Sequence, residues 1–366
     1  MKTIVDPRNS LAAGLAALRE RHGVPTGFPP EVLAAADAAA QRKPTAHVDR
    51  TDRPFVTLDP ATSTDLDQAF TIARSGADLL LHYAIADVAW FVDDGGPIDT
   101  EAWRRGATLY LPDGKANLYP PVLSEGAASL LAGGDRPAVI FTTRLGPDGT
   151  ARIDGIERAV IRSRAKLAYD NVRPDDLPAD FTEFARRVQA AEARRGAARV
   201  DPPEQEVELA DDDGFQLYFR PRLQSEDQNA ALSLATNLAV ADLLLAHQVG
   251  LFRVMPPPDD RAIARLRQTA AALGLAWPAM ATLTQFERTL DPADPRHAAF
   301  MLAIRRAGAG ASYAPYEAGV VPWHAAVAAT YAHATAPLRR LSTAEQKSAI
   351  RRRKTRPRCY MPGGVA

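Results

Sequence analysis

Three aspartates fall within nine residues in 59-DPATSTDLDQAF-70, a stretch that stands between two β-like runs. Aspartate is a poor strand former and is rarely buried without a partner. Clustered carboxylates repel one another unless something positive sits among them. Two readings fit the stretch taken alone. Asp, Pro, Ser and Thr are all turn residues, so a solvated turn is one of them. A site for a hard cation is the other, because ions such as Mg²⁺ take oxygen ligands. Asp65 and Asp67 are two apart, so on an extended segment both point the same way, and Asp59 could meet them after the 60-PATST-64 turn. The calcium-loop pattern of alternating acids closed by Gly and a distant Glu is absent.

A second chemical group lies far along the chain. Arg339 and Arg340 close 335-TAPLRR-340. A planar guanidinium matches phosphate oxygens bidentately and stabilises charge that develops in a transition state. Taken alone, such a pair is equally a piece of charged surface. His324 and His333 are nine apart on an expected helix, whereas histidine ligand pairs usually stand three to five apart, so they read as core or surface residues. Cys359, the one cysteine, lies in a basic stretch without a histidine pattern and is not read as a nucleophile.

These groups need a scaffold. Residues 8–42 read as two helices, 10-SLAAGLAALRERHG-23 and 30-PEVLAAADAAAQRK-43, punctuated by Pro25, Pro29 and Pro30. Strand patterns cover 54–59, 69–73 and 79–92, and a helix follows at 98–107 after the turn 93-DDGGP-97. Further strands at 138–145 and 151–167 flank the hairpin-like 146-GPDG-149. After about residue 180 the pattern turns helical, at 182–197, 226–249, 259–273 and 293–308, with 320–334 joining them. The fold class is α/β (mixed α+β), strands first and helices later. The chain divides into a helical region 1–50, a body 51–341 and a basic tail 342–366 that reads as disordered.

The 366 residues are 46% hydrophobic, ample for a core. A single cysteine excludes an internal disulfide framework and fits a reducing compartment. MKTIVDPRNS lacks a signal-peptide pattern, and no run approaches the roughly 18 uninterrupted apolar residues of a membrane span. The expectation is a soluble cytoplasmic protein without membrane contact. Net charge is zero but uneven: nine Lys/Arg against one acid lie between Arg339 and Arg358, leaving 35 basic against 43 acidic residues elsewhere. An acidic body with a basic end is no general polyanion binder. Nucleic acid would have to meet a local groove or that end.

Six stretches in order resemble one family. The run 59–70, 85-IADVAWFV-92, 105-RGATLYLPDG-114, 123-LSEGAASL-130, 160-VIRSRAKLAYDNV-172 and 331-YAHATAPLRR-340 are similar to the RNase II (RNB) exoribonucleases. The resemblance implies an RNB-type catalytic domain, a mixed β-sheet surrounded by helices. It implies a Mg²⁺-dependent hydrolase, Mn²⁺ being the alternative ion, that takes single-stranded RNA from the 3′ end and releases nucleoside 5′-monophosphates. Asp59, Asp65 and Asp67 would be its metal ligands, Arg339 would hold the scissile phosphate, and Arg340 neighbouring backbone. Tyr110 and Tyr169 match positions where the family places aromatics near the last nucleotides, although both also suit core strands. A stacked base gains about 1–3 kcal/mol whatever its identity. Glu226, opening a helix in 225-SEDQNAALSLATN-237, would meet a terminal ribose, and is equally explained as an acid at a helix N-terminus. Asp87 matches as well and reads as a buried structural aspartate. The chemistry agrees with these residue types, since two divalent ions roughly 4 Å apart can activate water and stabilise charge during phosphodiester hydrolysis.

There are departures. The family's D-x-D-D pattern has a further acid where Gln68 stands, and glutamine adds no negative charge for a second ion. About 50 residues precede the motif and 26 follow Arg340, neither suited to the small β-barrel RNA-binding domains of long members. RNA grip is therefore expected to be weaker, or to rely on an RNA-binding partner protein. After Leu341 the family's aromatic, acid and further helix give way to 342-STAEQKSAIRRRKTRPRCYMPGGVA-366, which suggests a truncated or frame-shifted end. Its basic charge could still meet RNA phosphates in a salt-sensitive way. These features favour a second reading, a catalytically weak or inactive RNB-fold RNA-binding or regulatory protein. A third, a carbohydrate hydrolase with paired carboxylates, leaves 335-TAPLRR-340 unexplained.

Overall fold

The computed structural model describes residues 6–197, 202–210, 214–220, 222–308 and 310–341, so the tail read at 342–366 lies outside the described residues. The first eight strands are β1 (Val48–Asp49), β2 (Phe55–Asp59), β3 (Gln68–Ser75), β4 (Asp78–Ala86), β5 (Leu109–Leu111), β6 (Gly114–Ala116), β7 (Asp135–Leu145) and β8 (Ala151–Ala168). Six of them form a mixed sheet in the order β1-β8-β2-β3-β4-β7, while β5 and β6 make a separate hairpin. β8 is long enough to pair twice. It runs antiparallel to β7 over Ala151–Arg162 and parallel to β2 over Ser163–Ala168, so the sheet closes through it. The turn between β7 and β8 requires glycine: Gly149 has φ 76°, and a Cβ there would meet the Arg187 carbonyl at 2.4 Å.

The helices are α1 (Ala12–Arg21), α2 (Pro30–Ala40), α3 (Val88–Phe91), α4 (Pro97–Arg105), α5 (Phe181–Arg195), α6 (Gln224–Ala246), α7 (Asp260–Ala272), α8 (Leu283–Glu287) and α9 (Pro295–Ala307). Phe55, Leu66, Ala84, Ile140 and Ile161 pack with Val32 and Ala36 of α2 and Ile98 of α4. A second cluster sets Leu58, Phe70, Tyr83 and Phe141 against Phe184 and Val188 of α5 and Leu232, Val240 and Leu244 of α6. Alternation along the strands thus feeds two apolar layers. By length and composition α6 could cross a membrane, yet Ala231, Leu232, Ala235 and Val240 are buried in this core.

The structure departs from the sequence reading in three places. The strand expected over 79–92 stops at Ala86, where Asp87 opens α3. Asp87 is 1% exposed, accepts from Arg158 Nε at 2.7 Å and meets His47 Nε2 at 3.1 Å, as a structural aspartate should. Within the half expected to be helical, β9 (Glu204–Leu209) and β10 (Phe215–Arg220) form a hairpin. β11 (Leu251–Val254) and β12 (Ser312–Pro315) pair as well. The helix expected over 320–334 is replaced by β13 (Trp323–His324) and β14 (Ala329–Thr330), with Ala328 at φ 51° in the turn. Pro322 and the β-branched residues Val320, Val321 and Thr330 disfavour a helix there, and His324 and His333 share none.

Candidate active site

β2 ends at Asp59 and β3 begins at Gln68, so the aspartates occupy the connection between two paired strands. Ser129, fully buried, staples that loop: its hydroxyl donates to the Thr64 carbonyl at 2.7 Å and accepts from Leu66 N at 2.9 Å. Lys166 Nζ donates to the Ala61 carbonyl at 2.7 Å. Leu66 itself is a fully buried plug, and Asp65 and Asp67 flank it on the extended chain.

The three aspartates have different surroundings. Asp67 is 2% exposed; Oδ1 accepts from Leu338 N at 2.7 Å and Oδ2 from Arg339 Nε at 3.0 Å. Asp65 accepts from Lys115 Nζ at 3.0 Å and from the Tyr110 hydroxyl at 2.9 Å. Burial works against the Lys115 charge, but bonds to Glu125 and Asp65 hold its pKa above the ordinary value. No described residue donates to the Asp59 carboxylate. Burial, with help from Asp67 and Asp65 and against the pull of Arg339, pushes Asp59 up to about 7. Burial also opposes the charge on Arg339, yet Asp67, Tyr110 and Asp59 raise its pKa, so it stays a cation. Among the described residues only its Nε finds an acceptor, and the Nη groups are unclaimed.

A cavity of about 1430 Å³ gathers Asp59, Tyr169, Glu226, Arg339 and Arg340, all expected from the sequence. Tyr110, 46% exposed, is not among its lining residues and neither are Asp65 and Asp67. Tyr169 takes a bond from Asn229 Nδ2 at 2.8 Å. The Glu226 carboxylate is already engaged, by Arg220 Nη1 at 3.0 Å and by Leu223 N at 2.8 Å, the latter as an acid capping its own helix. Arg340 loses some of its basicity through burial and the neighbouring Arg339. Burial, then Arg340, lowers His333 to about 3, so this imidazole in the cavity wall is neutral near pH 7.

Three residues of one wall, Asn229, Ser233 and Asn237, were not anticipated. Glu226, Asn229, Ser233 and Asn237 of α6 all line the cavity. Their offsets of 0, 3, 7 and 11 put four polar side chains on one stripe of an otherwise apolar helix, a signal present in 225-SEDQNAALSLATN-237. Asn237, 2% exposed, donates to the Tyr331 hydroxyl at 3.0 Å and accepts from Ala334 N at 2.8 Å, fixing the approach to Arg339. Gln68 serves the same stretch. Its Nε2 donates to the Thr335 carbonyl at 2.7 Å, while its Oε1 accepts from the Tyr83 hydroxyl and from Ser233. An ionised aspartate at this position could not donate to that carbonyl.

Among the described residues, no three carboxylate, histidine or cysteine side chains are grouped so as to hold one metal ion. The three-aspartate ligand set expected from the sequence is therefore not assembled as a cage: Lys115 engages Asp65 and Arg339 engages Asp67. Magnesium needs no such cage, since it binds through one or two carboxylates together with phosphate oxygens and water. Asp59, desolvated and without a donor, fits as that carboxylate.

A model of the RNB domain matches residues 47–342. The chain belongs to the RNB family. Ribonuclease R of Aquifex aeolicus (strain VF5) is 27% identical over 349 residues, which cover 87% of this chain and 49% of the relative. The fold is similar to that of Mycoplasma genitalium RNase R in complex with ribose-methylated single-stranded RNA, with a TM-score of 0.80 at 22% identity over 94% of this chain and 57% of that one. It is also similar to yeast Ssd1, a pseudonuclease, with a TM-score of 0.66 at 17% identity over 88% of this chain and 42% of that one. The RNB chain described here spans about half the length of the curated relatives it matches.

Proposed function

We propose that this RNB chain is a hydrolytic exoribonuclease which, with Mg²⁺ or Mn²⁺, shortens single-stranded RNA from its 3′ end to nucleoside 5′-monophosphates. The reading rests above all on the Asp67–Arg339 pair. Asp67 holds Arg339 through Nε alone at 3.0 Å, so the Nη fork is left for a ligand in the cavity that Asp59 also lines. A divalent ion bound at Asp59 would supply Lewis-acid stabilisation and an activated water. The Arg339 Nη groups donate bidentately to the scissile phosphate, and Arg340 holds neighbouring backbone. Tyr169 offers a ring to a base of any identity, which suits degradation without sequence preference. Asn229, Ser233 and Asn237 hold that ring and the approach to Arg339 in place through their bonds to Tyr169, Gln68 and Tyr331. An RNA-binding partner protein would add grip beyond the cavity.

A second reading, an RNA-binding protein that cuts weakly or not at all, is favoured by Gln68 and by Lys115 at Asp65, and by the likeness in fold to a pseudonuclease. One assay separates the two. A 5′-labelled single-stranded RNA is incubated with and without Mg²⁺, beside Asp67→Asn. A metal-dependent ladder shortening from the 3′ end, lost in the variant, supports the exoribonuclease. Intact RNA in every lane with a retained band shift supports the binder.

A further inference from the structure

The side of the site that faces Asp65 is chemically unlike the side that faces Asp59. Lys115 Nζ stands 3.0 Å from Asp65 Oδ1 and 2.9 Å from Glu125 Oε1, bridging two carboxylates with one ammonium. Every carboxylate oxygen there has a donor. Tyr110 serves the other oxygen of Asp65, Asn117 shares Glu125 Oε1 at 2.8 Å, and Thr64 serves Oε2 at 3.1 Å. The lysine is not a loose surface group. It sits on β6, and the tip of that hairpin is clamped to α1 by Arg19, whose Nε and Nη2 meet Asp113 at 2.9 and 2.8 Å. The Gln68 Oε1 cannot serve a metal without giving up Tyr83 and Ser233.

We infer that Lys115 is a built-in cation standing in for a second divalent ion, so that the site loads a single ion at Asp59. The inference rests on the function proposed above and deepens it. A metal at Asp65 would need the same oxygens at about 2.0–2.1 Å, which an ammonium already bonded to them does not allow. Lysine suits the role because its charge is compact and its three donors can meet two acids at once.

Mn²⁺ serves as the probe, counted by electron paramagnetic resonance on the full chain, alone and with a single-stranded RNA blocked by a 3′ phosphorothioate. The wild type should bind one ion. Lys115→Ala vacates a pair of carboxylates and should bind a second, whereas Lys115→Arg keeps the charge and should stay at one. A thermal melt establishes that each variant is folded, and should Lys115→Ala fail to fold, the wild-type count decides alone. Two ions on the wild type, none at all, or an unchanged single ion on folded Lys115→Ala would each overturn the inference. Failure of the exoribonuclease reading looks different: an unmodified single-stranded RNA stays intact in Mn²⁺ while the wild type still binds one ion.

Discussion

Asp59 and Asp65 belong to the same short segment, yet one faces a cavity without a donor while the other is fixed between a lysine and a tyrosine. The segment does not make this difference; the elements folded against it do. The β5–β6 hairpin brings Lys115 to Asp65, the stretch 335–340 brings Arg339 to Asp67, and among the described residues nothing cationic is hydrogen-bonded to Asp59. A carboxylate bound by the protein's own cation is a positioning device. A carboxylate left desolvated is a place for a ligand.

The comparison is broken most directly at Asp67. If it positions Arg339, Asp67→Asn should lower the rate by about 10²–10³-fold with RNA affinity little changed, as single-turnover kinetics and a filter-binding titration would show. Equal loss of affinity and rate would mean that Asp67 is a ligand to RNA or metal instead. At Asp59 the effect is on stability. A carboxyl group raised to about 7 in the fold resists ionisation, so its contribution to stability is fully present at low pH, is lost as pH rises from the ordinary aspartate range toward 7, and changes little above that. Asp59→Asn removes that penalty. Without divalent ions the variant should be more stable than wild type at pH 8, by up to about 4 kcal/mol, and scarcely different at pH 4. Asp65→Asn should do the reverse at pH 8, losing about 1 kcal/mol with its partly exposed ion pair. Thermal melts at the two pH values read both.

Much of this was legible. Turn residues and short apolar runs placed the strands on either side of 59–68, while the spacing of Asp59, Asp65 and Asp67 left a solvated turn and a cation site both open until the resemblance to the RNB family favoured the second. The partners of those aspartates were not legible, because they come from far along the chain: Lys115 lies 50 residues from Asp65, and Arg339 lies 272 from Asp67. The polar stripe on α6 was in plain view at helical spacing but hidden by the apolar character of the helix around it. The Ala-rich 320–334 read as helix because alanine favours one, while Pro322 and packing against β11 decided for a hairpin.

The remaining predictions sharpen the contrast between cavity and rim. Tyr169 lines the cavity and Tyr110 does not. Tyr169→Leu should therefore weaken single-stranded RNA binding by about 1–3 kcal/mol, measured by fluorescence anisotropy. Tyr110→Phe should cost about 1 kcal/mol of stability through its lost bond to Asp65 and leave affinity nearly unaltered. Equal effects on affinity would extend the binding surface to the hairpin.

A double-mutant cycle tests whether Asp67 acts through Arg339. Rates are measured for Asp67→Asn, Arg339→Lys and both together, under single turnover with saturating Mg²⁺. The double variant should be no slower than the slower single one, because the second change removes an interaction already lost. Losses that multiply would show the two residues acting independently and would contradict that coupling.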